Sequence, residues 1–411
     1  MKKTFIISMI AAAALYAGGS DMEQLKLQMK NQLQLIEALK QRVEELENRD
    51  KKRQSNELKA KMARADTYSA SFNQGAFLPD IALVLNSSAV SRNVDNSSYE
   101  NFAIPGFIPA GDGDLPFNKN RGFNLNYAEL SLRSAVDPYF DASAYFHLRP
   151  NEFEIGEAYV TTRSLPYSLR IKAGKFKSDF GRINAKHHHS WHFDTQPLVY
   201  KAMLGPDGIS DPGIQLQWVA PTDTYIMAGI EALQGSNIRS FGDIEKNNLY
   251  VGYLKSSTDV GDTTLLGGVS IAHGKNTTGN ETDLYGADFT TRTYLNAYSA
   301  LTWQSELLYR TYDNGTATED QAGLYSELIY QIDKNYSCGF RYGILFKNSG
   351  SLPDDLDRYS VMAEYKPFPM SRLRLQYNRD RSKVIDGERR DIDEIIFSLN
   401  VAIGAHGAHA F

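Results

Sequence analysis

One cysteine, Cys338, is all the thiol that the 411 residues hold. An internal disulfide framework is therefore excluded, although exported globular domains often depend on one. Long apolar runs are equally scarce. Beyond residue 20 nothing approaches the ~18 consecutive apolar residues that a helical membrane span needs. No basic block stands out against the net charge of −5, so nucleic acid is not indicated as a partner. A nucleophile elbow, a phosphate loop, a zinc-protease helix and a CxxC pair are also missing. His147 near serines is the one hydrolase-like hint, and any strand-rich chain offers such a coincidence, so the sequence reads as a non-enzyme. Tryptophan is sparse at 3 residues, but 24 tyrosines and 20 phenylalanines are not.

What is present begins with an exported protein's leader. In "MKKTFIISMIAAAALYAGGS" two lysines precede an apolar run and then small residues, which predicts a signal peptide over 1–19. Residues 21–49 carry no Gly or Pro. Met22, Leu25, Met29, Gln32, Ile36, Leu39, Val43 and Leu46 alternate spacings of three and four, which predicts a short coiled coil. A lone amphipathic helix is the plainer alternative. From 50 to 76 the seam fails and the composition turns polar, as in a linker.

From Phe77 the period drops to two. In "RLRLQYNR" Leu373, Leu375 and Tyr377 alternate with Arg372, Arg374, Gln376 and Asn378; in "RYSVMAEYK" Tyr359, Val361 and Tyr365 alternate with Arg358, Ser360 and Glu364. Segments of about ten residues with one wet and one apolar face, repeated along a chain, mark a transmembrane β-barrel. A secreted β-sandwich is the rival, but short turns such as "AVDP", "SLPYS" and "DKNY" alternate here with long polar loops. That asymmetry belongs to bacterial barrels. The expected architecture is an all-β barrel over 77–411 with about 16 antiparallel strands, 14 to 18 at the limits, preceded by the coiled coil. The second and fourth strands, "FNLNYAELSLR" and "EIGEAYVTTR", change phase midway, which points to a bulge or a miscount in each. The last strand keeps its phase to Phe411.

That ending resembles the C-terminal signal read by the barrel-assembly machinery of Gram-negative bacteria. "FLPDIALVLN", "IPGF", "ELSLRSAVDPYFDASA", "IKAGKF", "SDPGIQLQW" and the His-rich stretch leading to "DTQPLV", mainly within 77–220, resemble one porin-like outer-membrane family. Its members are sometimes labelled zinc-regulated or TonB-dependent receptors. The resemblance implies a barrel in the outer-membrane lipid with its coiled coil in the periplasm. No plug domain precedes the strands here. The roughly 335 residues from Phe77 are too few for a plug and a 22-stranded barrel. Porin analogy implies a homotrimer, whereas the coiled-coil seam leans to a dimer.

A barrel of this size leaves an aqueous channel. The wet positions predict a pore lined by Arg170, Lys172, Arg310, Arg341, Arg358, Arg372 and Arg374, opposed by Glu306, Glu327 and Glu364. Such rows select small hydrophilic solutes by charge, with a lean toward anions; alternatively they only solvate the wall. Two loops are too apolar to wave in water: 91–121, with "IPGFIPAGDGDLPF", and 177–212. Both are expected to fold into the pore or onto each other. The second holds His187, His188, His189, Trp191, His192 and Asp194, a candidate constriction loop. If the segment were helical, the i,i+4 pair His188 and His192 could ligate zinc; otherwise these imidazoles bond to the wall or titrate as a gate. No other cofactor is indicated. A diffusion channel is the leading reading, followed by a metal-responsive uptake channel and a structural cell-wall tether.

Overall fold

The computed structural model describes residues 79–404, apart from 114, 151, 243–244 and 347–355, together with scattered positions between 27 and 49. The expected leader at 1–19, the linker at 50–76 and Phe411 lie outside the described residues. The chain divides into two compact units, Met1–Ala76 and Phe77–Phe411. In the first, the described residues between 27 and 49 are helical. The seam residues Ile36, Val43 and Leu46 are exposed there.

The second unit is a closed antiparallel barrel of sixteen strands. Eight are β1 (Asp80–Arg92), β2 (Gly122–Ala135), β3 (Phe140–Arg149), β4 (Glu152–Thr162), β5 (Leu169–Lys177), β6 (Ser210–Val219), β7 (Tyr225–Leu233) and β8 (Leu249–Val260). The next seven are β9 (Thr263–Lys275), β10 (Glu281–Tyr294), β11 (Ala300–Asp313), β12 (Thr318–Gln331), β13 (Tyr336–Leu345), β14 (Leu356–Phe368) and β15 (Ser371–Asp380). A small hairpin of β16 (Val384–Ile385) and β17 (Glu388–Arg389) follows. The last barrel strand, β18 (Ile392–Gly404), pairs with both β15 and β1 and closes the ring. Closure removes the edge strands, so the backbone groups of the wall are paired around the whole circumference.

The period-two pattern sets which side of the wall each residue faces. Val361 and Leu375 are half exposed on the outside, while Arg374 and Gln376 are buried inside. Outward aromatics pair across strands: Tyr336 stacks on Tyr365 at 4.9 Å and Phe289 meets Trp303 edge-on at 5.6 Å. An outer surface this apolar is what hydrocarbon requires. Of the two explanations for the phase changes, a bulge or a miscount, the structure shows a bulge in each strand. β1 skips Asn126 of β2, pairing Asn86 with Tyr127 and Ser87 with Leu125. β3 skips Gly156 of β4, pairing Tyr145 with Glu157 and Phe146 with Ile155. Each bulge turns two successive residues to the same side.

At one end the strands are joined by short turns, such as 261–262 and 369–370. The other end carries the long loops, although β3 and β4 are joined there by two residues. The core sits inside the barrel near this loop end. Phe102, Ile104, Phe107 and Ile108 from the first loop meet Phe180, Leu198, Val199 and Met203 from the second, against Leu284, Leu308, Tyr325 and Leu345 of the wall. Each fully buried side chain of this kind stabilises by about 1.5–3 kcal/mol, which explains why these loops fold inward.

Candidate functional site

The lumen is the candidate site, and the second long loop fills much of it. Helix α1 (Asn96–Glu100) lies in the first loop; helix α2 (Leu198–Leu204) lies in the second. Pro197 precedes α2 and Gly205, at φ 70°, ends it. Six of its seven residues are buried. A helix apolar on all sides but one, where Lys201 stands, belongs inside, and α2 packs on β12 and β13.

The wall charges expected to line open water instead hold this loop. Glu306 accepts from the backbone N–H groups of Arg182 (2.7 Å) and Ile183 (3.1 Å) and from the hydroxyls of Tyr200 (2.7 Å) and Tyr325. Gly181 is obligatory beside it. Its φ is +61°, and a Cβ would lie 2.6 Å from the Glu306 carboxylate. Arg374 bridges Glu364 (2.7 Å), Asp194 (3.2 Å) and the Trp191 carbonyl (3.0 Å). Arg310 donates to the Arg239 carbonyl at 2.8 Å and Ser240 Oγ at 2.9 Å. Arg341 donates to Thr195 Oγ1 at 2.7 Å and lies over the Phe193 ring at 4.5 Å. Arg358 donates to the Gln196 carbonyl. Arg372 stays beside Glu364 at 3.5 Å. All these residues face inward, where the loop packs against them. The alternation specifies the face, and the loop decides what each side chain meets there.

The histidines separate. Residues His188–Ser190 form a single 3-10 turn. The stretch is therefore not the α-helix that i,i+4 ligation needs, and the structure does not bring His188 and His192 to one site. His188 stacks on Phe117 at 3.9 Å. Its Nε2 lies 3.1 Å from the Asp194 carbonyl, which can only accept, so Nε2 carries the proton and Nδ1 accepts from Tyr127 at 3.3 Å. Burial pushes its pKa down to about 4, against the pull of Asp194. His192 reaches another wall, with Nδ1 2.6 Å from Glu327. His187 lies between two carboxylates, Nδ1 2.9 Å from Glu129 and Nε2 2.5 Å from Glu157. Burial opposes its charge, but Glu129 and Glu157 outweigh burial and raise it to about 9. His189 lies 3.5 Å from Glu129, and burial lowers its pKa.

Two spaces remain. At the turn end a vestibule of about 410 Å³ is lined by Asp80, Arg133, Asp141, Tyr159, Arg170 and Lys172, among others. At the loop end a narrow cleft of about 60 Å³ is lined by Arg92, Lys201, Arg358 and Lys383 with Asp194, Asp380 and Glu394. Arg92 pairs with Glu394 at 2.6 Å and Lys383 with Asp380 at 3.2 Å. Lys201 rests over Phe102 at 4.7 Å. Burial, then repulsion from Lys383 and Arg358, holds its ammonium well below the usual lysine range. Sequence reasoning overlooked this cleft, whose members come from four separate segments. Glu129 and Glu157 were overlooked too, although the phase changes in their strands were the available signal.

No family model matches the chain. An uncharacterized protein of Aquifex aeolicus (strain VF5) is 39% identical over 382 residues, covering 83% of this chain and 81% of the other. The chain belongs to that protein's family. The family's fold is visible in solved structures. An anion-selective porin from Comamonas acidovorans matches 80% of this chain and 100% of its own at TM-score 0.55 and 10% identity. The outer membrane channel DcaP of Acinetobacter baumannii matches 82% and 100% at TM-score 0.54 and 12% identity. A loop-deletion mutant of OmpT, an outer membrane protein of Vibrio cholerae, matches 80% and 100% at TM-score 0.52 and 13% identity. At such identities the likeness concerns fold: a porin-like outer-membrane β-barrel, without a separate plug domain before its strands among the described residues.

Proposed function

We propose that the protein is an outer-membrane channel for passive diffusion of small hydrophilic solutes, with a preference for anions. The observation that carries this reading is the closed sixteen-strand wall, apolar outside and charged inside, with an open vestibule at one end and a cleft lined by four cations and three carboxylates at the other. Solutes would enter at the loop end, pass the narrow cleft under Lys201 and leave through the vestibule past Arg170 and Lys172. The loop residues between Lys186 and Thr195 form the constriction. Cations lining the narrowest stretch favour anions, because charge is least screened where water is scarce.

In this reading the turn end and the coiled coil lie in the periplasm and the long loops face outward. The C-terminal residues through Phe411 serve the barrel-assembly machinery, and three copies associate, the dimer being the alternative that the seam favours. The test is planar-bilayer recording from the purified full chain. Discrete conductance steps with a reversal potential displaced toward the anion are expected in a salt gradient. A barrel that inserts and passes no current would overturn the proposal.

A further inference from the structure

The two bulges do more than adjust the register. In β2 the bulge at Asn126 leaves Tyr127 and Glu129 pointing inward, and in β4 the bulge at Gly156 brings both Glu154 and Glu157 to the inner side. Between them β3 presents His147, whose ring lies over Gly156, where an added Cβ would sit 2.8 Å from Cε1. His187 descends onto the same point from the loop. Glu129 Oε2 lies 3.2 Å from His147 Nε2 and 2.9 Å from His187 Nδ1, and the three donor atoms fall within 4.8 Å of one another.

We propose that Glu129, His147 and His187 form a binding site for a divalent first-row transition metal of the zinc type, fastening the constriction loop to the wall. Two imidazoles and a carboxylate are a donor set suited to zinc and poorly suited to magnesium or calcium. The spacing fits as well: tetrahedral bonds of about 2.1 Å place donors roughly 3.4 Å apart. Each imidazole also has a carboxylate behind it. Glu157 lies 2.5 Å from His187 Nε2, and Glu154 lies 3.6 Å from His147 Nδ1. The Glu157 contact is a hydrogen bond of the kind that fixes the tautomer presenting the other nitrogen to a metal, while Glu154 stands beyond hydrogen-bond distance and adds only charge. His189, 3.5 Å from Glu129, is the nearest further donor for a fourth position. The competing occupant is a proton shared between His187 and the two glutamates. The site concerns residues beside the permeation route and does not rest on the protein being a channel.

The test is calorimetric titration of the chelator-stripped full chain in detergent with Zn²⁺, with Mg²⁺ and Ca²⁺ as controls. One zinc per chain is expected, abolished by Glu129→Gln or His147→Ala. Glu157→Gln, which alters the supporting carboxylate alone, should weaken binding by about 10–100-fold. His273→Ala, at an exposed pair with Asp283, should change nothing. X-ray absorption on the zinc-loaded wild type needs no variant and should report two imidazoles and a carboxylate. Hydrogen exchange should slow at residues 185–194 when zinc is added. No stoichiometric zinc, binding that survives the Glu129 and His147 substitutions, or a first shell without imidazole would each leave the shared proton as the occupant and overturn the proposal.

Discussion

The two ends of one lumen share a wall and differ in almost everything else. At the turn end, Arg170 and Lys172 line a vestibule of about 410 Å³. Toward the loop end, Arg341, Arg358 and Arg374 occupy equivalent inward positions but are buried against loop carbonyls, hydroxyls and carboxylates. The comparison teaches that strand alternation decides which side chains point inward, whereas the connections decide whether they meet water. A charge in the vestibule faces open space, whereas a charge under the loop acts as a structural bond. Removing one partner of such a buried pair leaves the other uncompensated, at a cost of about 3–5 kcal/mol.

The strongest way to break the contrast is to remove what causes it. Replacing residues 179–208 with a short Gly/Ser turn should make the loop end as wet as the vestibule. Single-channel conductance is then expected to rise several-fold, while the barrel, whose wall closes without the loop, keeps its β-sheet circular dichroism. Unchanged conductance would mean that the loop does not set the narrowest point. A smaller intervention of the same kind is Glu306→Ala. It strands two backbone N–H groups and two tyrosine hydroxyls, each costing about 1–3 kcal/mol if left unpaired. The expected result is lower thermal stability, faster exchange at residues 181–184 and noisier current. Full retention of loop protection would refute the anchoring role.

How much of this was legible in the sequence follows the same divide. The roughly sixteen strands and their inward and outward faces could be read because a half-wet wall writes a period of two into every segment; the phase changes in β2 and β4 were legible, though not whether they were bulges or a miscount. That His188 and His192 face different walls could not be read, since the turn at His188–Ser190 is set by tertiary packing on Phe117, Tyr127 and Glu327 rather than by local propensity. Arg374 and Glu306 stand on the inner face that the alternation indicates, but nothing local to either reports the loop they hold, more than a hundred residues away. Conversely, the apolar content of the loops did reveal that they fold inward.

Lys201 tests the boundary between the two regions, since it belongs to the loop yet faces the remaining cleft. Lys201→Met should reduce the anion-to-cation permeability ratio several-fold with little effect on folding. The pH dependence has a definite sign. Burial, with Lys383 and Arg358 nearby, favours the neutral amine, and Asp380 and Glu394 only partly oppose this. Arg92, Asp194 and Tyr99 complete the cleft. Raising the pH should therefore remove the Lys201 charge below the range in which an ordinary lysine titrates. Anion preference should fall across that interval in the wild type and stay flat in Lys201→Met. Parallel curves for the two proteins would assign selectivity elsewhere.

The mildest perturbation lies at the other end. Arg170 and Lys172 pair across the wall with Gln217 and Gln215, and neither makes an ion pair among the described residues. Reversing both charges by Arg170→Glu and Lys172→Glu should shift stability by no more than about 0.5 kcal/mol, as for hydrated surface positions. Its effect on selectivity should be small, because the vestibule is wide and counter-ions screen charges within about 8 Å at physiological salt. A modest drop in anion preference at low salt that vanishes at high salt is expected. The same reversal at Arg374, enclosed by Glu364, Asp194 and the Trp191 carbonyl, should instead destabilise the loop at any ionic strength. If the double reversal at Arg170 and Lys172 proved equally damaging and insensitive to salt, the vestibule would be as structural as the loop-filled end, and hydration would not be what separates the two.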